Sequence, residues 1–247
     1  MMKIVPLSEG AFTIDKTKLF IPFDTEKDDL QQRPVGSLLV EVQPFAVVTS
    51  EDILLLDAGL GFEKEGELQL HANLRAAGIR PEEVTKVLMS HLHKDHAGGM
   101  SRVGVDGVRE LAFPNAIYYV QRKELEYAYE KGPTSYITEE LDCLRGSSRV
   151  VLLDGDGVLD GYIRYAVTGA HCPYHQAFWI VDGGETTFFG GDVAPQLQQM
   201  KSRFVAKYDY DGRKAMELRQ QWWVQGKEEG WTFLFYHDIK APLYKND

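Results

Sequence analysis

The sequence predicts an α/β fold in which two β-sheets pack face to face with helices outside. Three observations carry this. Short apolar runs rich in Val, Leu and Ile, bounded by turn residues, outnumber the helical stretches. The runs come in two series, each followed by helices, which favours a layered sandwich over an all-β barrel. No repeat and no low-complexity linker divides the 247 residues, a length that buries a large core without staples. One domain spanning residues 1–247 is expected.

The elements follow in order. Strands are expected in 37–50 and 52–59, apolar runs rich in Val, Leu and Ile that turn residues bound. A helix fits 67–79: Leu68, Leu70, Leu74 and Ala77 share a face, Gly78 suits its end and Pro81 blocks continuation. His71 is expected to face solvent on it. A short apolar strand occupies 84–90. The strand-then-helix grammar recurs with a strand at 116–121 and a charged helix at 122–131. Further strands are expected at 149–153, 162–169, 177–183 and 186–191, then a long helix at 212–230 and a closing strand at 231–237.

Composition narrows the function. Lys and Arg total 27 against 37 Asp and Glu, a formal net charge of −10. Such a chain repels phosphate backbones, so a nucleic-acid partner is not expected. Cys143 and Cys172 form no disulfide framework and no cysteine zinc site, which suits a reducing compartment. Pro6, Ser8 and Glu9 interrupt the N-terminal stretch where a signal peptide needs apolar residues, and no window reaches the length of a membrane span. A cytoplasmic protein acting on a small molecule, without a membrane partner, is expected. Oligomeric state leaves no signal.

The chemistry concentrates in 91-HLHKDH-96, followed by Gly98 and Gly99. A strand delivers the chain extended, so His91 and His93, two apart, can reach one point. Asp95 and His96 lie past a turn and can serve a second point, with the glycines letting backbone pass closely beneath. Imidazole and carboxylate are ligands that zinc, iron and manganese share. Four such ligands are too many for one ion with an open position and too few for two ions. Further ligands are therefore needed from strand ends elsewhere, and His171, Asp192 and His237 each follow a predicted strand. A surface loop gains nothing from adjacent histidines, and a core could not satisfy them. His175 has two readings, substrate contact or a local hydrogen bond. Cys172 is expected to be a buried, inert thiol.

As a set these residues resemble the metallo-β-lactamase superfamily, with its H-x-H-x-D-H pattern at 91–96 and its later ligands at His171, Asp192 and His237. The segment 54-LLLDAG-59 is similar to the family's early strand ending in an Asp-Gly turn. The resemblance implies an αβ/βα four-layer sandwich of two mixed sheets. It implies two divalent metal ions, zinc first, with iron or manganese accepted by the same ligands. By position, one ion takes His91, His93 and His171, the other Asp95, His96 and His237, and Asp192 bridges both. Asp57 is implied to orient a ligand histidine, or else is a plain strand-end turn. The implied activity is a metal-dependent hydrolase that uses a hydroxide shared by two ions to cleave a lactone or ester, with Asp95 or Asp192 assisting the leaving group. A phosphotriesterase or thioesterase of the same fold, or a di-iron redox protein, is the alternative.

Within the superfamily the overall resemblance is to the quorum-quenching lactonase-like group. Glyoxalase II-like enzymes carry a helical extension, and ten residues follow His237 here. Flavodiiron proteins add a flavodoxin domain, and tRNA nucleases present a more basic face. One position departs from the lactonase pattern. Lactonases of the group commonly place a tyrosine three residues after the bridging aspartate, and Pro195 stands there. The segment 196–212 follows directly from a metal ligand and is expected to cross the mouth of the site. Tyr208 and Tyr210 could donate to a substrate oxygen or pack beside Trp222 and Trp223, and Arg203 could pair with an anion.

Overall fold

Alternation along the strands sorts apolar side chains onto opposite faces, and that sorting builds the layers. The structure is a computed structural model and describes residues 2–104 and 106–245. One six-stranded sheet runs in the order Lys3–Pro6, Phe45–Val48, Ile53–Leu56, Lys86–Leu88, Ile117–Gln121, Val150–Leu153. Its first two pairings are antiparallel and the other three parallel. A second six-stranded sheet runs Gly157–Leu159, Ile163–Val167, Gln176–Asp182, Glu185–Phe189, Thr232–Leu234, Leu243–Lys245. It is antiparallel except between Glu185–Phe189 and Thr232–Leu234.

The sheets meet through Phe45, Val47, Leu54, Leu56 and Leu88 on one side and Ile163, Phe178, Ile180, Phe189 and Leu234 on the other. The intervening residues Ala46, Leu55 and Val87 point outward and pack under the helices Gln69–Ala76 and Arg122–Lys131 through Leu70, Leu74, Leu125 and Ala128. On the far side Trp179, Phe188 and Phe233 pack against Ala215 and Trp222 of the helix Gly212–Glu228. This is a four-layer helix, sheet, sheet, helix sandwich with both sheets mixed, as the resemblance implies.

The long helix starts where Asp211 caps it, accepting from the backbone N–H of Lys214 at 3.0 Å. Its buried Arg219 donates to the carbonyls of Val193 and Phe204. The guanidinium thereby ties the outer helix to the loop that leaves Asp192.

Several expectations need correction. The stretch 37–50 is two strands in two sheets. Gln43 and Pro44 interrupt it, and Pro44 lacks the N–H a continuous ladder needs. Leu38–Val42 pairs instead with Gly10–Ile14, which also pairs with Ile21–Pro22. This small sheet has no counterpart in the sequence reading. His71 does not face solvent: it is buried, edge-on to Phe113. Its helix is shorter than expected because Glu67 and Leu68 form a short strand first.

Candidate metal centre

The strand Lys86–Leu88 ends three residues before His91, and the chain then enters the short helix Lys94–Ala97. His91 and His93 lie between the two elements. Their rings converge, with His91 Nε2 3.0 Å from His93 Nδ1. His171, in the loop after Ile163–Val167, brings its Nε2 to 3.1 Å from His93 Nδ1. Asp95 and His96 project from the short helix, and His237 arrives from beyond Thr232–Leu234. His237 Nε2 and His96 Nε2 lie 3.5 and 3.6 Å from Asp95 Oδ2. Two ligand clusters result, His91/His93/His171 and Asp95/His96/His237.

Asp192 stands between them. Its Oδ2 lies 3.3 Å from His171 Nε2, while its Oδ1 lies 3.0 Å from His237 Nε2 and 3.1 Å from His96 Nε2. The strand Glu185–Phe189 ends just before it, and Gly191 adopts φ +47°, where a Cβ would meet His175 Nε2 at 2.6 Å. Only glycine fits that approach.

The outward ring nitrogens settle the tautomers. His96 Nδ1–H donates to Asp57 Oδ2 at 2.7 Å, His171 Nδ1–H to Asp209 Oδ1 at 2.9 Å, and His237 Nδ1–H to the carbonyl of Glu41 at 2.6 Å. Ser90 spends its hydroxyl proton on Asp57 Oδ2, so His91 Nδ1–H donates to Ser90 Oγ at 3.0 Å. Each of these four rings therefore has its Nδ1 occupied and turns its Nε2 inward, the nitrogen left for a metal. Asp57, the strand-end residue, does both things foreseen for it. It takes a left-handed φ of +56°, and its buried carboxylate orients His96 while accepting from Ser90 N–H.

The electrostatics fit a cation. Burial holds His91 and His93 far below the ordinary histidine range, and the neighbouring imidazoles reinforce it. Burial also opposes charge on His96, but Asp192, Asp95 and Asp57 together outweigh it and pull its pKa well up. Burial would raise Asp192, yet His237, His96 and His171 hold it well below the carboxylate range. The carboxylates thus demand positive charge at the point where the rings converge. His96 Nε2 and Asp192 Oδ1 are buried there without a hydrogen-bond partner. Nitrogen pairs 3.0–3.1 Å apart also suit ligands on one ion, whose tetrahedral edges are roughly 3.3 Å for bonds near 2.0 Å.

A cleft of about 950 Å³ opens on the centre. His93, Asp95, His171, Asp192 and His237 form its floor. The hairpin region 14–40 makes one wall and residues 195–208 the other. Tyr208 lines this cleft, with its ring 6.2 Å from that of His171, and its Oη accepts from Gln199 Nε2 at 3.3 Å. Burial pushes its phenol up to about 12, so it stays a proton donor at neutral pH. Neither foreseen tyrosine packs beside the tryptophans. Trp222 contacts Trp179 and Phe188, and Trp223 contacts Phe233 and Tyr244.

Two residues read as substrate contacts, Tyr210 and Arg203, lie away from the cleft, and His175 takes the local hydrogen bond that was its other reading. Tyr210 is 69% exposed and lies outside the cleft, because its backbone N–H is turned to the carbonyl of His171. Arg203 is exposed and lines no part of the cleft. His175 is fully buried behind the centre. Its Nδ1–H donates to Thr168 Oγ1, and its Nε2 accepts from Asp192 N–H at 3.2 Å, so it positions Asp192 from behind.

The reading missed Asp209, the partner of His171, and Glu124. Glu124 is buried on a helix that reads as charged. Its Oε1 accepts from Leu92 N–H at 3.1 Å and from the Tyr136 hydroxyl at 3.2 Å, and the Cys172 thiol donates to the same carboxylate. One carboxyl thus pins both the His91–His93 turn and the residue after His171. Its spacing of four from the buried Ala128 was the available signal.

With this geometry in hand, the sequence profile of the metallo-beta-lactamase superfamily matches residues 40–222. The chain belongs to the metallo-beta-lactamase superfamily. Among superfamily members it is 34% identical over 118 residues to the N-acyl homoserine lactonase AttM of Azorhizobium caulinodans, covering 44% of this chain and 40% of that one. It is 30% identical over 166 residues to an N-acyl homoserine lactonase of Bacillus cereus, covering 59% and 60%. The chain thus spans well under two thirds of these relatives' lengths. Its fold is similar to that of a probable metal-dependent hydrolase from Staphylococcus aureus, with TM-score 0.80 and 22% identity over 99% of this chain and 92% of that one. It is also similar to AidC, a dizinc quorum-quenching lactonase solved with a product, with TM-score 0.72 and 18% identity over 98% and 89%. No helix among the described residues is long and apolar enough to cross a membrane.

Proposed function

We propose that residues 1–247 form a single superfamily domain whose two ligand clusters hold two divalent metal ions, zinc first, and that it hydrolyses a lactone or ester bond of a small molecule. One observation carries the reading: the two Asp192 oxygens face different imidazole clusters, Oδ2 toward His171 and Oδ1 toward His96 and His237. A carboxylate so divided would hold an ion on each side. The resemblance of the chain to N-acyl homoserine lactonases supports the bond class.

When bound, a pair of divalent cations supplies hydroxide at neutral pH and positive charge against the oxygen under attack. The chain's own residues do the rest. Asp57, Ser90, Asp209 and the Glu41 carbonyl hold four rings in one tautomer each, so the centre needs no reorganisation during turnover. Asp95 and Asp192 are the carboxylates on the cleft floor, placed to hold a proton for the leaving oxygen. Tyr208 takes the part that Pro195 cannot. Gln199 donates to its oxygen, which leaves the phenolic proton free for a substrate carbonyl.

The test is a panel of lactones, aryl esters, thioesters and phosphotriesters on metal-loaded protein, beside elemental analysis of protein purified without added metal. Two zinc ions per chain with lactone or ester turnover is the expected result. Two irons with oxygen consumption, or two ions with no hydrolysis of any carboxylic ester, would overturn it.

A further inference from the structure

The walls of the cleft carry charge that the hydrolytic reading does not use. Lys16 and Lys18 lie on the hairpin wall, Lys94 stands between the ligands His93 and Asp95, and Lys207 lies on the facing wall. In a chain with ten more acidic than basic residues, this cleft reverses the balance. Outside the metal ligands it is lined by these four lysines and one carboxylate, Asp15. Asp15 is folded onto its own turn, with Oδ1 accepting from the Thr17 N–H at 2.9 Å and the Thr17 hydroxyl at 2.6 Å.

None of the four ammonium groups has a carboxylate within 4.0 Å among the described residues. Lysines elsewhere do find partners, as Lys86 does with Asp52 and Asp160, and Lys245 with Glu185. Lys18 has its ammonium held, and Lys94 has its backbone anchored beside it. Lys18 Nζ donates to Ser135 Oγ at 2.5 Å, and the backbone N–H of Lys94 donates to the carbonyl of the same Ser135 at 2.8 Å. Lys94 Nζ also sits 5.9 Å from the centre of the Phe20 ring, two residues from Lys18. One corner of the cleft, beside His93, therefore holds a pair of unpaired cations.

Between the lysines the walls are apolar, with Ile14, Phe20, Leu38, Phe204 and Val205. Apolar walls of low dielectric focus the field of charges at their rim. An uncharged chain would fill the apolar space and leave the lysines idle. A free inorganic anion would satisfy the lysines and leave the walls wet.

We propose that the substrate is an ester or lactone with an apolar body and an anionic group, carboxylate or phosphate, at the end remote from the bond cleaved, and that Lys18 and Lys94 receive that anion. The proposal rests on the hydrolytic reading above for the bond that is broken, and on the lysine corner for the charge.

Two chromogenic substrates of equal length separate the ideas: the mono-4-nitrophenyl ester of suberic acid, which ends in a free carboxylate, and 4-nitrophenyl octanoate, which does not. At low ionic strength the metal-loaded protein should prefer the carboxylated ester in kcat/KM by about tenfold or more, and added salt should erode that preference. In Lys18→Gln/Lys94→Gln, with metal content and circular dichroism checked against the parent, the ratio should fall to about one. No preference in the parent overturns the proposal. So does a preference that survives in the double variant, since the metal ions alone would then be its source. Binding of suberic acid monoamide against octanamide by calorimetry asks the same question without turnover. Should neither ester be hydrolysed, the hydrolytic reading fails, while tighter binding of the acid, lost in the double variant, upholds the lysine corner. Equal binding of the two amides refutes it.

Discussion

His96 donates its Nδ1 proton to Asp57 across 2.7 Å, and both side chains are fully buried. Asp57 reaches this position only because its backbone takes the left-handed φ of +56° at the end of its strand. Asparagine tolerates that conformation better than most residues and keeps the shape while removing the charge. Asp57→Asn should therefore fold, and should retain the ion of the Asp95/His96/His237 cluster about 10–100-fold less tightly. Competition with a chromogenic chelator measures this. Unchanged retention would leave Asp57 a turn residue only.

Asp192→Asn tests the bridge. The amide offers one acceptor oxygen, so it can face one cluster but not both. Metal content should fall toward one ion per chain, and kcat should drop on the order of a hundredfold or more, with a small change in Tm once metal loss is accounted for. Two ions and parental turnover in this variant would remove Asp192 from the mechanism.

The two tyrosines should separate. Tyr208 lines the cleft and Tyr210 does not. Tyr208→Phe should lower kcat about tenfold or more without altering metal content, the size of one good hydrogen bond made in the transition state. Tyr210→Phe should stay within about twofold. Steady-state kinetics on both decides, and the opposite order would reassign the phenol.

Backbone crowding beneath the ligands predicts a stability effect. A Cβ at Gly98 would stand 2.2 Å from the carbonyl oxygen of Leu60, and one at Gly99 would stand 2.2 Å from that of Ala58. Gly98→Ala should cost roughly 1–3 kcal/mol, read from denaturant melts of the metal-free protein, because backbone rather than a flexible side chain must move.

Glu9 predicts a pH dependence. Its buried side chain accepts from Leu60 N–H at 2.6 Å, and burial raises its pKa to about 7. A carboxyl raised in the folded state contributes stability below its unfolded pKa, near 4.5, and loses it as pH rises through 7. Glu9→Gln cannot ionise. The Tm of this variant relative to the parent should climb between pH 4.5 and 7 and level off above, measured in metal-free protein.

The sequence reading succeeded where chemistry and periodicity coincide. The side chains that converge at the centre were legible because clustered imidazoles have no better explanation, and the helix Arg122–Lys131 because a charged run follows directly on an apolar strand. It failed where a residue's partner is remote in sequence. Asp209 bonds a ring 38 positions away, and Glu124 receives the Leu92 N–H from 32 positions away. Nothing local distinguishes Asp209 from a solvated carboxylate, and Glu124 offers only its spacing from the apolar Ala128. His175 stayed open between two readings because nothing in the sequence says which way the turn after His171 sends its ring, and the structure places it behind Asp192. The pairing of Leu38–Val42 with Gly10–Ile14 was hidden because Pro44 looks like a minor break in one apolar run, when it marks the switch from one sheet to another.

The arrangement of the ligands along the chain also bears on biosynthesis. His91, His93, Asp95 and His96 emerge together, His171 and Asp192 follow later, and His237 comes only after the helix Gly212–Glu228. A chain leaving the ribosome therefore presents this four-residue segment long before the structure that orders it, and the second cluster cannot close until Thr232–Leu234 has paired beside Glu185–Phe189. Metal captured early by the nascent 91–96 segment would sit in an unfinished coordination shell. On the two-metal proposal, complete loading thus belongs to the end of folding, and which ion is taken up depends on those available at that moment.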